Sequence, residues 1–122
     1  MNVVHDWRTI NAIEDGCGGE IYKVADTQNC PLKNLELAMC IFPPGEVSKM
    51  HHHESIEEIY FILSGNGVIE LDEQSYEVTE GMAVTIARRV KHRLRNTHPT
   101  QELRFLSVNS PEWLASDMIF ER

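Results

Sequence analysis

Short alternations of apolar and polar residues, separated by turn residues, dominate the chain. Residues 35–41 carry leucine, leucine, methionine and isoleucine at the odd positions, and Pro43-Pro44-Gly45 ends that run. This period of two predicts a β-strand, because successive side chains of a strand point to opposite faces. Residues 21–25, which follow Gly18-Gly19, and residues 103–108 are further predicted strands.

A second kind of strand is predicted in the middle of the chain. Residues 59–63 read Ile-Tyr-Phe-Ile-Leu and are apolar on both parities. A strand that is apolar on both faces is covered on both faces, so its second face needs either a second sheet of the same chain or another subunit. Residues 68–71 and 76–78 flank Asp72-Glu73-Gln74-Ser75, which predicts a hairpin.

The only helical pattern lies at the C-terminal end. Residues 112–119 follow Ser110, a suitable N-cap, and Pro111, which fits the first position of a helix. Many short strands at even spacing, without helices between them, predict an all-β sandwich or barrel with a short C-terminal helix. We expect one domain over residues 1–122, because a chain of 122 residues buries a single core.

The charge of the chain disfavours polyanionic partners. It carries 11 Lys and Arg against 19 Asp and Glu, a formal net charge of −8 at pH 7. Phosphate backbones and anionic membranes repel such a surface, so we expect neither a nucleic-acid nor a membrane partner. One local basic run comprises Arg88, Arg89, Lys91, Arg93 and Arg95. It is either the solvated face of a strand or a cavity mouth that attracts an anionic small molecule.

Targeting signals and cysteine usage favour a reducing compartment. Residues 1–10 lack the apolar core of a signal peptide, and no apolar run approaches the length of a membrane span. Cys17, Cys30 and Cys40 are odd in number and lack CxxC spacing, which disfavours a disulfide framework. We therefore expect a cytoplasmic protein.

Three histidines and one glutamate form a candidate metal site. His51 and His53 share one face of a strand while His52 points to the other, so the two imidazoles can converge on one ion. Glu58 begins the next apolar strand, and a bend between the strands would bring its carboxylate beside them. His92 shares a face with Leu94 and Asn96, which predicts that it points inward. The nearby residues Tyr60, Ile62, Met39 and Ile41 either shape the cavity or are ordinary core residues.

This ligand set suits one divalent transition metal ion per chain. Three imidazoles and a carboxylate fit Fe, Mn, Ni, Cu or Zn. On an octahedral ion they leave two positions open for water, dioxygen or a chelating substrate.

The spacing of these residues resembles that of the cupin family. The segment Gly45-x5-His51-x-His53-x4-Glu58-x6-Gly65 is similar to the first cupin motif at every defining position. The segment Gly81-x5-Ala87-x-Arg89-x2-His92-x3-Asn96 is similar to the second. It departs from the family pattern at Ala87, where proline is usual, and at Arg89, where glycine is usual. The two motifs together span residues 45–96.

The resemblance implies a fold and a set of roles. It implies a double-stranded β-helix, or jelly-roll barrel, with metal-ligand roles for His51, His53, Glu58 and His92. Small barrels of this family often pair, so we expect a homodimer. Without the usual proline and glycine, the turn before His92 is expected to take another shape. Arg88 or Arg89 would then lean over the barrel mouth.

Two functions of different classes follow. The first is a metal-dependent enzyme on a small organic molecule, with a dioxygenase leading and isomerase, lyase or decarboxylase chemistry close behind. Glu58 would then be a ligand and a candidate catalytic base. The second is a non-catalytic small-molecule binding or sensing module, which would bind its ligand without consuming it.

Overall fold

The computed structural model describes residues 2–121, which form ten strands in two facing antiparallel sheets. The strands are β1 (Glu20–Ala25), β2 (Glu36–Phe42), β3 (His51–His52), β4 (Glu57–Ser64), β5 (Asn66–Leu71), β6 (Gln74–Thr79), β7 (Ala83–Ile86), β8 (His92–Asn96), β9 (Leu103–Ser110) and β10 (Ile119–Phe120). The first sheet has the order β1-β2-β9-β4-β7, and the second has the order β10-β3-β8-β5-β6. The all-β jelly-roll prediction is confirmed. Within residues 2–121, no helix combines the length and the apolar character needed to cross a membrane.

The hydrophobic core lies between the two sheets and is built by the inward parity of each strand. Along β9, for example, Leu103 and Phe105 are buried while Leu106 is only partly covered. The apolar core side chains are Ala38, Cys40, Phe42, Tyr60, Ile62, Ile69, Val78, Val84, Ile86, Leu94, Leu103 and Phe105. Burial of this set removes apolar surface from water on both sheets at once, which joins them into one barrel.

Strand β4 is covered on one face only. Tyr60 and Ile62 are buried between the sheets, but Ile59 is 44% and Phe61 40% exposed on the outer face. The second sheet therefore does not cover this outer face, and no other part of residues 2–121 buries it.

The predicted hairpin is confirmed, and a one-residue turn precedes it. Strands β5 and β6 pair from Asn66↔Thr79 to Leu71↔Gln74, so only two residues form the loop. Strand β4 runs on to Ser64, which leaves Gly65 to make the turn alone at φ 88°. A Cβ at Gly65 would lie 2.5 Å from the carbonyl oxygen of Glu102, so both conformation and space require glycine there.

The predicted C-terminal helix over residues 112–119 is wrong. The segment contains only a short 3-10 turn over Ala115–Asp117, followed by β10. Strand β10 pairs with β3 through Ile119↔His52 and Phe120↔His51. An eight-residue helix is marginal by itself, and the tertiary pairing with β3 prevails over the local capping signal.

The turn before β8 explains one departure from the expected motif. Arg89 occupies the left-handed region at φ 67°, where glycine is the least strained residue. Its side chain is exposed and pairs with Glu54 at 3.0 Å. The turn therefore keeps the backbone conformation that glycine would adopt, with an arginine in its place.

Replacing Arg89 with glycine is expected to stabilise the protein. Relief of the left-handed strain outweighs the added chain entropy and the weak exposed ion pair, for a net gain of about 0.5–1 kcal/mol. The measurement is urea unfolding of the wild type, Arg89→Gly and Arg89→Ala. Alanine removes the same ion pair but keeps a Cβ, so stabilisation in both variants would contradict the explanation by strain.

Candidate metal centre

The fold brings the four predicted ligands together at one end of the barrel. His51 on β3 lies directly opposite His92 on β8 in the second sheet. His53 follows β3 without a break, and Glu58 enters from β4 in the first sheet. The centre thus joins both sheets, and all four side chains are buried, between 1% and 6% exposed.

The donor atoms of these side chains surround one point. One ligand atom from each residue lies within 4.8 Å of all the others. Glu58 Oε1 is 3.0 Å from His53 Nε2 and 3.1 Å from His92 Nε2. Ligands about 2.0–2.1 Å from a shared ion are separated by about 3.0 Å when they are adjacent on an octahedron. The observed separations fit such an ion.

Three of these buried atoms lack any hydrogen-bond partner among the described residues. They are His53 Nε2, Glu58 Oε1 and His92 Nε2, whose mutual contacts are short but poorly aligned. Buried polar atoms without partners are rare because each carries a desolvation cost. A shared cation would satisfy all three, so the residues present could hold a metal ion.

The other ring nitrogen of each histidine fixes its orientation. Nδ1 of His51 lies 2.8 Å from the Lys49 carbonyl oxygen, and Nδ1 of His53 lies 2.9 Å from that of Asp117. Nδ1 of His92 lies 3.0 Å from the Val90 carbonyl oxygen. A carbonyl can only accept, so each Nδ1 carries a proton and each Nε2 is the nitrogen available to the centre.

The electrostatics of the centre keep Glu58 ionised and His51 neutral. Burial alone opposes ionisation of Glu58, but the contacts with His53 and His92 lower its pKa to about 2. Burial, with a further contribution from His92, lowers the pKa of His51 to about 4. Burial also disfavours the charged form of His53, yet the neighbouring carboxylate raises its pKa above the usual value. Near neutral pH, Glu58 and His51 are therefore in the protonation states that a metal requires.

The cavity beside this centre is lined by only one of the four residues predicted to shape it. Tyr60 lines the cavity together with His51, His53 and Glu58. Ile62 is fully buried in the apolar core further down the barrel.

Met39 and Ile41 lie on the wrong parity of β2 to reach the cavity. The residues of β2 that line it are Glu36, Ala38, Cys40 and Phe42. Met39 and Ile41 are buried as well, but on the outer face of the first sheet. The sequence predicted the strand correctly, and of the two alternatives for Met39 and Ile41 the structure supports ordinary buried residues over cavity-shaping ones.

Sequence reasoning missed a set of polar side chains in the cavity wall. They are Lys23 on β1, Glu36 on β2, and Ser107 and Asn109 on β9. Glu36, Ser107 and Asn109 are each at most 5% exposed. One signal in the sequence could have found two of them. Ser107 and Asn109 are separated from Leu103 and Phe105 by even numbers of residues, so they point to the same inner side of β9.

Other singled-out residues have structural roles. Asn96 Nδ2 donates to the carbonyl oxygens of Phe42, Pro43 and Gln101, so it stabilises a buried turn. Cys40 is a buried wall residue, and burial raises the pKa of its thiol well above the usual value. Of the basic run, Arg88 and Arg89 are exposed and neither lines the cavity, which supports the solvated-face interpretation.

Comparison with known proteins identifies the family suggested by the two motifs. The model of the cupin domain matches residues 38–109. The polyketide cyclase RemF from Streptomyces resistomycificus is similar in structure, with a TM-score of 0.77, 26% identity, and coverage of 96% of this chain and 89% of that one. A predicted oxalate decarboxylase from Thermotoga maritima also has a TM-score of 0.77, with 27% identity and coverage of 90% of this chain and all of that one.

A curated relative is similar over a shorter region. The uncharacterized protein MJ1618 of Methanocaldococcus jannaschii is 38% identical over 60 residues, which are 49% of this chain and 48% of that protein. The protein SchB of Streptomyces halstedii is 25% identical over 80 residues and matches over 58% of its length. The chain thus spans about half the length of these curated relatives.

Proposed function

The chain belongs to the cupin domain family, and from this premise we propose that it is a metal-dependent enzyme acting on a small organic molecule. In this proposal His51, His53, Glu58 and His92 hold one divalent transition metal ion per chain. The observation that carries the proposal is the convergence of three buried donor atoms that have no hydrogen-bond partner within residues 2–121.

The ion would supply Lewis acidity or, if it is redox-active, a site for dioxygen. The protein residues would orient the substrate and exclude water. Three Nδ1–H groups bonded to backbone carbonyls hold the imidazoles still, and Glu58 contributes the only negative charge among the four ligands. Glu58 is also our candidate catalytic base, because its carboxylate faces the cavity.

Dioxygenase chemistry is the leading class within this proposal, with isomerase, lyase or decarboxylase chemistry close behind. The names of the two structural neighbours, a predicted oxalate decarboxylase and a polyketide cyclase, support an enzyme over a binding module. They also strengthen the redox-neutral classes relative to the dioxygenase.

The experiment that tests the proposal is metal analysis followed by turnover. We expect elemental mass spectrometry of purified, untagged protein to give about one metal ion per chain after reconstitution with Fe, Mn, Ni, Cu or Zn. Oxygen consumption with a panel of organic acids and enols then separates oxidative from redox-neutral chemistry. A protein that binds a ligand and melts at a higher temperature, yet consumes none, would be a binding module.

We also propose that two copies pair through the outer face of the first sheet. Ile59 and Phe61 on β4 are exposed there, beside the partly buried Leu106 and Val108 of β9. Contiguous apolar surface of this kind is typical of interfaces. We expect light scattering to give a dimer mass for the wild type and a monomer mass for Phe61→Asp. A wild-type monomer at all concentrations would contradict the pairing.

The cytoplasmic location remains a proposal. It is supported by Cys17, Cys30 and Cys40, which are all buried free thiols and suit a reducing compartment. Cell fractionation with an antibody against the native protein tests it.

A further inference from the structure

A hydrogen-bonded row of polar side chains crosses the cavity wall. Lys23 Nζ donates to Glu36 Oε2 at 2.7 Å, and Asn109 Nδ2 donates to Glu36 Oε1 at 2.9 Å. Ser107 Oγ donates to Asn109 Oδ1 at 3.3 Å. We call Lys23, Glu36, Ser107 and Asn109 the polar row.

The polar row leads to the metal centre. In the first sheet, β9 lies between β2 and β4, and Asn109 is the register partner of both Glu36 and Glu58. Residues opposed in this way have Cβ atoms about 4.5–5.5 Å apart. A small molecule in the cavity can therefore contact the metal centre at one end and the polar row at the other.

Stability does not account for the polar row. Glu36 is 1% exposed, and a buried ion pair is often no more stabilising than apolar residues of the same volume. The neighbouring inward positions on the same strands are occupied by the apolar residues Ala38 and Phe105, so apolar side chains could also pack at the positions of the polar row. Packing and stability therefore do not explain why these positions of the wall are polar.

The chemistry of the polar row selects a neutral group that both donates and accepts. The Lys23 charge offsets that of Glu36, so the row adds no net charge, and Asp15 lies in the same wall. Each row side chain still has hydrogen-bonding capacity: Lys23 has three N–H groups and Asn109 has two. Trp113 Nε1 is a buried donor without a partner among the described residues, and the Lys23 ammonium lies 4.9 Å from its ring centre.

We propose that the polar row binds the hydroxyl groups of a hydroxylated organic acid whose acid end lies at the metal centre. This inference rests on the proposed function, because a divalent ion with one carboxylate ligand leaves a net positive charge that favours an anionic group. A carboxylate at the polar row would face Glu36 and Asp15, whereas a hydroxyl can donate to Glu36 and accept from Lys23.

The test compares two four-carbon acids with the same chelating head. 2-Hydroxybutanoate has an apolar tail, and threonate carries two further hydroxyl groups. Both are titrated into Co(II)-loaded protein, with the visible absorption of the metal as the readout. We expect threonate to bind at least about tenfold more tightly, since it alone can bond to the polar row.

The variant that isolates the polar row is Asn109→Leu, with Asn66→Leu on β5 as the matched control. We expect Asn109→Leu to reduce the preference for threonate over 2-hydroxybutanoate to about twofold or less. Asn66→Leu should keep the wild-type preference. Ser107→Ala is the milder second variant if the leucine substitution impairs folding, and it should reduce the preference in the same direction.

The outcomes separate the inference from the proposed function. If both acids bind the loaded wild-type protein equally, or if Asn109→Leu and Ser107→Ala keep the preference, the polar row is not the binding site for hydroxyl groups and the inference is overturned alone. If the protein takes up Co(II) but neither acid changes its absorption, the inference is likewise overturned alone. If the protein takes up no Co(II), the proposed function fails and the inference fails with it.

Discussion

Replacing His92 with alanine is expected to abolish stoichiometric metal binding, from about one ion per chain to near zero. His92 is 1% exposed, its Nε2 lies 3.1 Å from Glu58 Oε1, and its Nδ1 is held by the Val90 carbonyl. The variant removes one of three imidazoles and leaves the Glu58 carboxylate with one close partner. Any metal-dependent turnover should fall with the metal content.

The measurement is elemental mass spectrometry of wild type, His92→Ala and His52→Ala after the same reconstitution. His52 is the matched control because it neighbours two predicted ligands but contacts Glu121 and Glu54 instead of the centre. We expect His52→Ala to retain about one ion per chain. Full metal content in His92→Ala would place the ion elsewhere, and loss in both variants would mean that general disruption of the strand explains the result.

The ligand set could be predicted because it depends on local rules. Strand parity alone places His51 and His53 on one face and His52 on the other, and the structure has this arrangement. Glu58 and His92 lie on other strands, and strand parity does not show that these strands meet β3. Their ligand roles were predicted from the spacing of the two motifs. The turn before His92 also follows the motif, since Arg89 adopts the conformation expected of glycine.

The cavity could not be predicted to the same degree, because it depends on which face of a strand is inner. Strand β2 is apolar on most positions of both faces, so hydrophobicity favoured Met39 and Ile41 although Ala38 and Cys40 point inward. The polar residues Glu36 and Asn109 are 73 positions apart in the sequence, and the pairing of β2 with β9 brings them together. The parity of β9 indicates that Asn109 points inward, but it does not indicate which strand lies beside it.

The structure of the C-terminal segment also depends on long-range contacts that the sequence does not reveal. The second large prediction concerns the loss of this segment. Residues 117–121 support the metal centre from outside: the Asp117 carbonyl accepts from His53 Nδ1, and the Asp117 carboxylate accepts from the backbone N–H groups of Glu54 and Ser55. Strand β10 pairs with β3, and Met118 lines the cavity. The helix signal in this segment was local, whereas all of these contacts are tertiary.

Truncation after Ser116 is therefore expected to weaken metal binding by about 10–100-fold, the usual cost of losing the groups that orient a ligand. His53 would lose its carbonyl acceptor, so its ring could rotate and its Nε2 would no longer be fixed toward Glu58. Competition with a chelator of known affinity measures the change, and circular dichroism establishes that the truncated barrel is folded. Asp117→Asn, which keeps the carbonyl and an acceptor oxygen, should bind metal like the wild type. Asp117→Ala should lie between the two. A folded, truncated protein with wild-type affinity would show that β3, β4 and β8 hold the ligands without help from the C-terminal strand.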